Sequence, residues 1–317
     1  MSERHDDWTG YWALILGGSS GFGLATAHKL AAHGMSLCLV HRDRRGAMAR
    51  IEPEFERLRA SGVELLTINT DALDPAARAG VLDRLEGAMR PAGRVRLLLH
   101  SIAFGNLKLL VPERPSERAA LPALARSLGV DQARLARAVD ELFASGLDEL
   151  VSMASAPAYP ASAFLDEEDF ARTIHAMGTS LVAWTQDVLA RGLLAPDARV
   201  VGLTSEGNSV AWKGYAAVAA AKVALESVAR AMAVELAPYG VRVNVVQAGI
   251  TDTPALQAIP GSEHLKAQAR RRNPFGRLTT PQDVANAVYL LARDEAAWIN
   301  GEVLRVDGGE HVSGTVS

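Results

Sequence analysis

Tyr215 and Lys222 stand seven positions apart in GYAAVAAAKVALESVARAMAVEL, residues 214–236, where most other positions are small and apolar and Glu226, Arg230 and Glu235 fall at helical intervals. The pattern predicts a largely buried helix. Seven residues make almost two turns, so the phenol and the ammonium would share one face about 10.5 Å apart along the axis. A buried ammonium needs a partner, and a phenol whose ionised form is favoured by a nearby cation is a proton donor near neutral pH. The same two residues also fit a plainer role, with Tyr215 packing and Lys222 running its stem to solvent.

A second chemistry is anion binding. Trp12–Leu16 (WALIL) is a short apolar run that stops at Gly17, and GGSSGFG leads from it into LATAHKLAAHG, a helix that Gly34 ends. Gly17, Gly21 and Gly23 leave room for backbone to approach a pyrophosphate and for strand and helix to pack closely, with N–H groups at the helix start holding the anion. The next strand, Met35–Val40, ends at His41-Arg42-Asp43-Arg44-Arg45. A guanidinium at that strand end would pair with a 2′-phosphate and so favour NADP, whereas Asp43 would serve the ribose of NAD. A third strand, Val63–Asn69, leads to Asp71-Ala72, where Asp71 either accepts from an adenine amino group or caps the helix that starts at Pro75.

Four more apolar runs complete the series: Val95–His100, followed by Ser101-Ile102-Ala103-Phe104; Arg199–Leu203, with Thr204-Ser205 at its exit; Val241–Val246; and Glu302–Val306. The turn after Val246 carries Gly249, Thr251 and Thr253, and Thr253 is suited to an amide or a phosphate. Helices are predicted from Glu167 to Arg191 and, after the start signal TTPQD, from Pro281 to Arg293. Seven strands alternating with helices make an α/β protein, a Rossmann-type doubly wound parallel sheet in one domain over residues 1–317. Residues 106–165 interrupt it as a helical insertion, in which prolines at 112, 115, 122, 157 and 160 bracket a stripe of Leu135, Val139, Leu142 and Phe143. The insertion is either a lid or partner surface, or decoration covering its own stripe. Residues 255–275 are expected to be mobile, and Lys266, Arg270, Arg271, Arg272 and Arg277 beside them form either a docking patch for an acidic carrier protein or a solvated helix face.

Composition narrows the class. A net charge of -3 gives no global pull toward nucleic acid or an anionic membrane. The single cysteine, Cys38, fits a reducing compartment, the polar start MSERHDDWTG is unlike a signal peptide, and no apolar stretch is long enough to span a bilayer, which together point to the cytoplasm. Scattered histidines give no metal motif.

Together, Gly17-x3-Gly21-x-Gly23, the Tyr/Lys helix, ELAPYGVRVNVVQAG at 235–249 and GEVLRVDGG at 301–309 resemble the short-chain dehydrogenase/reductase family over nearly the whole chain apart from the insertion. Ordinary members have three residues between tyrosine and lysine. The six found here, and HSIAF at 100–104, resemble the enoyl-acyl-carrier-protein reductase branch, and residues 235–309 are most similar to its NADPH-dependent type III enzymes. The resemblance implies that Tyr215 polarises a thioester oxygen, Lys222 holds the nicotinamide ribose and Thr253 anchors the nicotinamide end, with Gly249 and Thr251 also at the cofactor. It assigns Gly17, Ser19, Ser20, Gly21, Phe22 and Gly23 to the pyrophosphate turn, Asp71-Ala72 to the adenine and Ser101-Ile102-Ala103 to the adenosine ribose side, and it implies a homotetramer. Many enoyl reductases carry a second tyrosine ten positions before the first; here that position is Ser205, a third catalytic candidate. The insertion after Phe104 is also larger than the family usually has.

The implied reaction is reduction of the 2,3 double bond of an enoyl thioester by NADPH, on an acyl carrier protein or coenzyme A, with Tyr215 stabilising the enolate oxygen. In conjugate reduction that oxygen lies two carbons beyond the carbon that receives hydride, so a donor set back by a helical turn suits it. A 3-oxoacyl or other carbonyl reductase is the rival enzyme, and a non-catalytic NADPH-binding partner protein the rival of another class. A silent descendant would have no physical need for both Tyr215 and Lys222.

Overall fold

The computed structural model describes residues 8–89, 92–114, 120–159 and 164–314. Most of the polar leader, and Pro115 and Pro160 of the insertion, lie outside the described residues. Seven strands, β1 Tyr11–Leu16, β2 Ser36–His41, β3 Leu65–Asn69, β4 Arg94–His100, β5 Leu194–Ser205, β6 Arg242–Ala248 and β7 Val303–Val306, form one sheet in the order β3-β2-β1-β4-β5-β6-β7. Every pairing is parallel. The helices are α1 Gly21–Ala31, α2 Met48–Ala60, α3 Pro75–Ala88, α4 Ala120–Leu128, α5 Gln132–Ala144, α6 Glu167–Ile174, α7 Ser180–Ala190, α8 Ala216–Glu235, α9 Pro254–Gln257, α10 Ser262–Arg272 and α11 Pro281–Ala292.

The apolar runs become central strands because helices cover both faces of the sheet, so both alternating sets of side chains are buried. Leu14, Leu98, Val200 and Val243 pack with Leu82 of α3, Trp184 of α7 and Leu225 of α8. Their neighbours Ile15, Leu97, Leu99 and Val201 point the other way, onto Leu30 of α1, Phe55 of α2 and Val284 of α11. At the edge of the sheet away from the strand tips, buried Arg96 and Arg199 donate to the carbonyls of Ala292 and Leu291. These are orphan acceptors at the C-terminus of α11, which the guanidinium groups satisfy.

Three expectations change. Glu167–Arg191 is not one helix: a π turn at His175–Thr179 separates α6 from α7. There Gly178 meets α8 so closely that a Cβ would lie 2.9 Å from the Ala221 carbonyl oxygen. Residues 255–275 are not a loose segment but α9 and α10, with Lys266, Ala267 and Ala269 buried. The charges that read as solvated are neutralised in place: Lys266 by Asp252 and Glu263, Arg270 by Asp148, and Arg272 by Glu206 and Glu310. The insertion is helical, as α4, α5 and a short turn at Asp148–Ser152, but only Val139 of its stripe is buried and Leu142 stays 50% exposed. The described neighbours cover Val139, and Phe143 packs on the ring of His264, but Leu142 is left on the surface.

Candidate active site

The strand order reverses at β1, which lies between β2 and β4, and a cleft of about 600 Å³ opens at the carboxyl ends of the strands there. Open parallel sheets bind ligands at this switch point. Gly17 has φ +89°, and a Cβ on it would overlap the Ser101 carbonyl oxygen. Ser19, Ser20, Gly21 and Phe22 line the cleft with it. Ser20 is the N-cap of α1 but makes no side-chain cap bond, and the first turn holds no acid, so among the described residues neither competes for an anion at these N–H groups. The turn therefore fits a dinucleotide's pyrophosphate. Gly23 does not line the cleft: it faces back, where a Cβ would overlap the Gly17 carbonyl oxygen, so its part is to seat α1 on β1.

Arg42, Asp71, Ala72, Ser101, Ile102 and Ala103 form one end of the cleft. Arg42 Nη1 donates to Asp71 Oδ2 at 2.7 Å, and its guanidinium lies 4.6 Å from the ring centre of Phe104. Burial works to raise the Asp71 carboxyl, but the Leu73 N–H and Arg42 hold it below the ordinary value. Asp71 is not the cap of α3, because Asp74 accepts from Ala76 N. Asp43 is held by His41, at 2.9 Å from Nδ1, and by its N–H bond to Asn69.

Tyr215, Lys222 and Ser205 meet at the other end, with Gly249, Thr251 and Thr253 along the wall. Tyr215 is the N-cap of α8, not a residue of its body, with φ −112° and ψ 1°. The buried ring packs edge-on against Trp212, 5.3 Å between centres, and the hydroxyl is 3.3 Å from Ser205 Oγ. Burial raises the phenol's pKa, opposed by Ser205. Lys222 is buried as well; Nζ donates to the Leu203 carbonyl at 2.8 Å, and burial lowers its pKa to about 8 against the pull of Glu226. The expected lowering of the phenol by the lysine is thus overturned. His100 feels that ammonium instead: burial first, then Lys222, takes its pKa down to about 3. Its Nε2 lies 2.8 Å from Ser180 Oγ, whose single proton goes to the Ala176 carbonyl, which assigns the hydrogen to Nε2.

Thr253 caps α9 by accepting from Leu256 N, and Thr251 Oγ1 donates to the Gly249 carbonyl, so both hydroxyls have local duties. Sequence reasoning missed Leu107, Met177, Trp212, Leu256, Ile259 and Leu265, which make the Tyr215 end of the cleft apolar, and Glu206, the carboxylate beside Ser205. Only Trp212, an aromatic residue three positions before the tyrosine, carried a readable signal.

The family model for Enoyl-(Acyl carrier protein) reductase matches residues 130–311. The cis-4-hydroxycyclohexanecarboxylate dehydrogenase of Sinomonas cyclohexanicum is 26% identical over 302 residues, 94% of this chain and 95% of that protein. The enoyl-(acyl-carrier-protein) reductase (NADH) of Aquifex aeolicus is 35% identical over 135 residues, 43% of this chain and 50% of its own length. A solved short-chain dehydrogenase from Burkholderia cenocepacia, in complex with NADP, has a TM-score of 0.67 and 25% identity, with 95% of this chain and 98% of that chain covered. Because the family match spans more than half of the chain and takes in Tyr215, Lys222 and the turn after β6, this protein belongs to the short-chain dehydrogenase/reductase family, in its enoyl-(acyl carrier protein) reductase group, and is an oxidoreductase with a nicotinamide dinucleotide site.

Proposed function

We propose that the protein reduces the 2,3 double bond of an enoyl thioester with NADPH. The dinucleotide would supply a hydride to the β-carbon. The turn from Gly17 to Phe22 would hold its pyrophosphate, Arg42 its 2′-phosphate in exchange for Asp71, Lys222 its nicotinamide ribose, and the Gly249–Thr253 turn its nicotinamide end. Tyr215 keeps its proton, because burial favours the neutral phenol, and would offer it to the thioester oxygen as charge gathers there. Ser205 would orient that hydroxyl. Leu107, Met177, Trp212, Val218, Leu256 and Ile259 offer the acyl group an apolar wall that excludes water.

What carries this is the position of Tyr215 ahead of the helix that holds Lys222, since it sets the donor back from the ribose-binding group as conjugate reduction requires. Either carrier fits. Of the five cations expected to dock an acidic carrier protein, Lys266, Arg270, Arg272 and Arg277 are already paired with carboxylates, so among the described residues Arg271 is the one of the five that would offer an uncommitted charge. A homo-oligomer is part of the reading, because Val234, Leu290 and Trp298 are apolar side chains on the surface, and light scattering in solution tests it.

NADPH oxidation measured side by side with a 2-enoyl and a 3-oxoacyl thioester decides the reaction; faster turnover of the oxo substrate would overturn the proposal. Carbonyl chemistry remains the second reading for one reason: Ser205 and Tyr215 place two hydroxyls 3.3 Å apart, where both could hold one carbonyl oxygen. The full-length relative from Sinomonas, a dehydrogenase of a ring alcohol by its name, supports the same alternative.

A further inference from the structure

Beyond Leu107, no described residue of the 106–165 insertion lines the cleft, yet the insertion grips two of the segments that wall the acyl end. On one side Asp148 accepts a forked pair of bonds from Arg270 of α10, 2.5 Å from Nε and 2.6 Å from Nη2. The ring of Phe143 lies 4.8 Å from that of His264, also on α10. Pro157 presses on Gly261, the N-cap of α10, so closely that a Cβ there would overlap its ring. On the other side Tyr159 packs on Gly214, where a Cβ would lie 3.0 Å from Cε1, and Glu113 pairs with Lys213 at 2.6 Å. Gly214 precedes Tyr215, and Leu265 of α10 faces the cleft. The insertion is itself stiffened, since Ser155 donates to Asp140 of α5 from both N and Oγ, at 2.7 and 2.6 Å.

We infer that the insertion is a brace that fixes the distance between α10 and the Lys213–Gly214 turn, and through it the bulk of the acyl group that the cleft admits. Asp148, Phe143 and Tyr159 are positioning residues on this account: they touch the walls and not the substrate. A bidentate carboxylate–guanidinium pair is directional as well as attractive, and is suited to holding a helix in one pose. The bracing stands on the geometry alone; its consequence for substrate size rests on the proposed function.

The test is Asp148→Ala combined with Phe143→Ala in the full chain, read by hydrogen–deuterium exchange. Amides of residues 262–272 should exchange at least tenfold faster while those of β1 and β4 are unchanged. In kinetics, KM for a short and a bulky enoyl thioester should shift by different factors, at least fivefold for one of them, with kcat within twofold and NADPH affinity unchanged. Pairing Asp148→Arg with Arg270→Asp should restore slow exchange. If the double variant fails to fold, Asp148→Asn carries the same readouts. Unchanged exchange in α10 would overturn the brace whatever the enzyme reduces. If the wild type prefers an oxo substrate, the function reading fails on its own, and the KM split is then measured with that substrate class; a split absent there overturns the specificity role.

Discussion

At the dinucleotide end of the cleft the Gly17–Phe22 turn and the Ser101 carbonyl bring backbone against backbone, beside the Arg42–Asp71 pair, and the strands that carry them pair as direct neighbours. At the acyl end the wall is side chains from α8, α9, α10 and the π turn, locked by ion pairs that join residues 66 and 122 positions apart. Backbone walls admit few substitutions, because added atoms collide, whereas side-chain walls can be resized one residue at a time. A family can therefore keep one cofactor pocket while its substrates diverge, and the two ends should fail separately when they are mutated.

The largest expected effect sits at the point where they meet. Tyr215→Phe should lower turnover by about 10²- to 10⁴-fold with NADPH affinity retained, whereas Lys222→Ala should impair both; equal loss of cofactor binding in Tyr215→Phe would break the division. At the dinucleotide end, Arg42→Ala should weaken NADPH by about 1.5–3 kcal/mol, the usual worth of a charge-assisted bond, and leave NADH unchanged. Fluorescence titration of both cofactors checks it, and an unaltered ratio would remove Arg42 from the site. A pH effect follows from Lys222: its ammonium is the charged form, its pKa is lowered to about 8 in the free protein, and charge is lost as pH rises through that value. The kcat/KM for the thioester should fall about tenfold for each pH unit above it, and Lys222→Arg should move the decline to higher pH; a flat profile up to pH 10 would contradict this. Ser205→Ala should have the smallest effect on an enoyl substrate, about fivefold for one lost hydrogen bond. A loss near that of Tyr215→Phe would instead favour carbonyl reduction.

The same division explains what could be read from the sequence. The strands, the glycine turn and the Arg42 position were legible because their signals are local: apolar runs, glycines where a Cβ would collide, and a cation at a strand tip. Strand ends moved by only one or two residues, except that β5 begins at Leu194. Tyr215 was found, but its place ahead of the helix was not, since Gly214 at φ +73° and the Trp212 ring turn the chain there. The order of α10 was hidden because Arg270 and Arg272 look solvated until Asp148, Glu206 and Glu310 are brought to them. The π turn at His175–Thr179 had no sequence mark beyond Gly178, whose neighbour across the interface is a carbonyl of α8.

Arg272 bonds Glu310 as well as Glu206, and Glu310 also accepts from the Ile250 N–H. During synthesis the ribosome delivers the glycine turn first and Glu310 only after all seven strands. The cluster that pins the acyl wall can therefore close only once the last strand has been made, which ties the shape of the substrate end to the completion of the whole sheet.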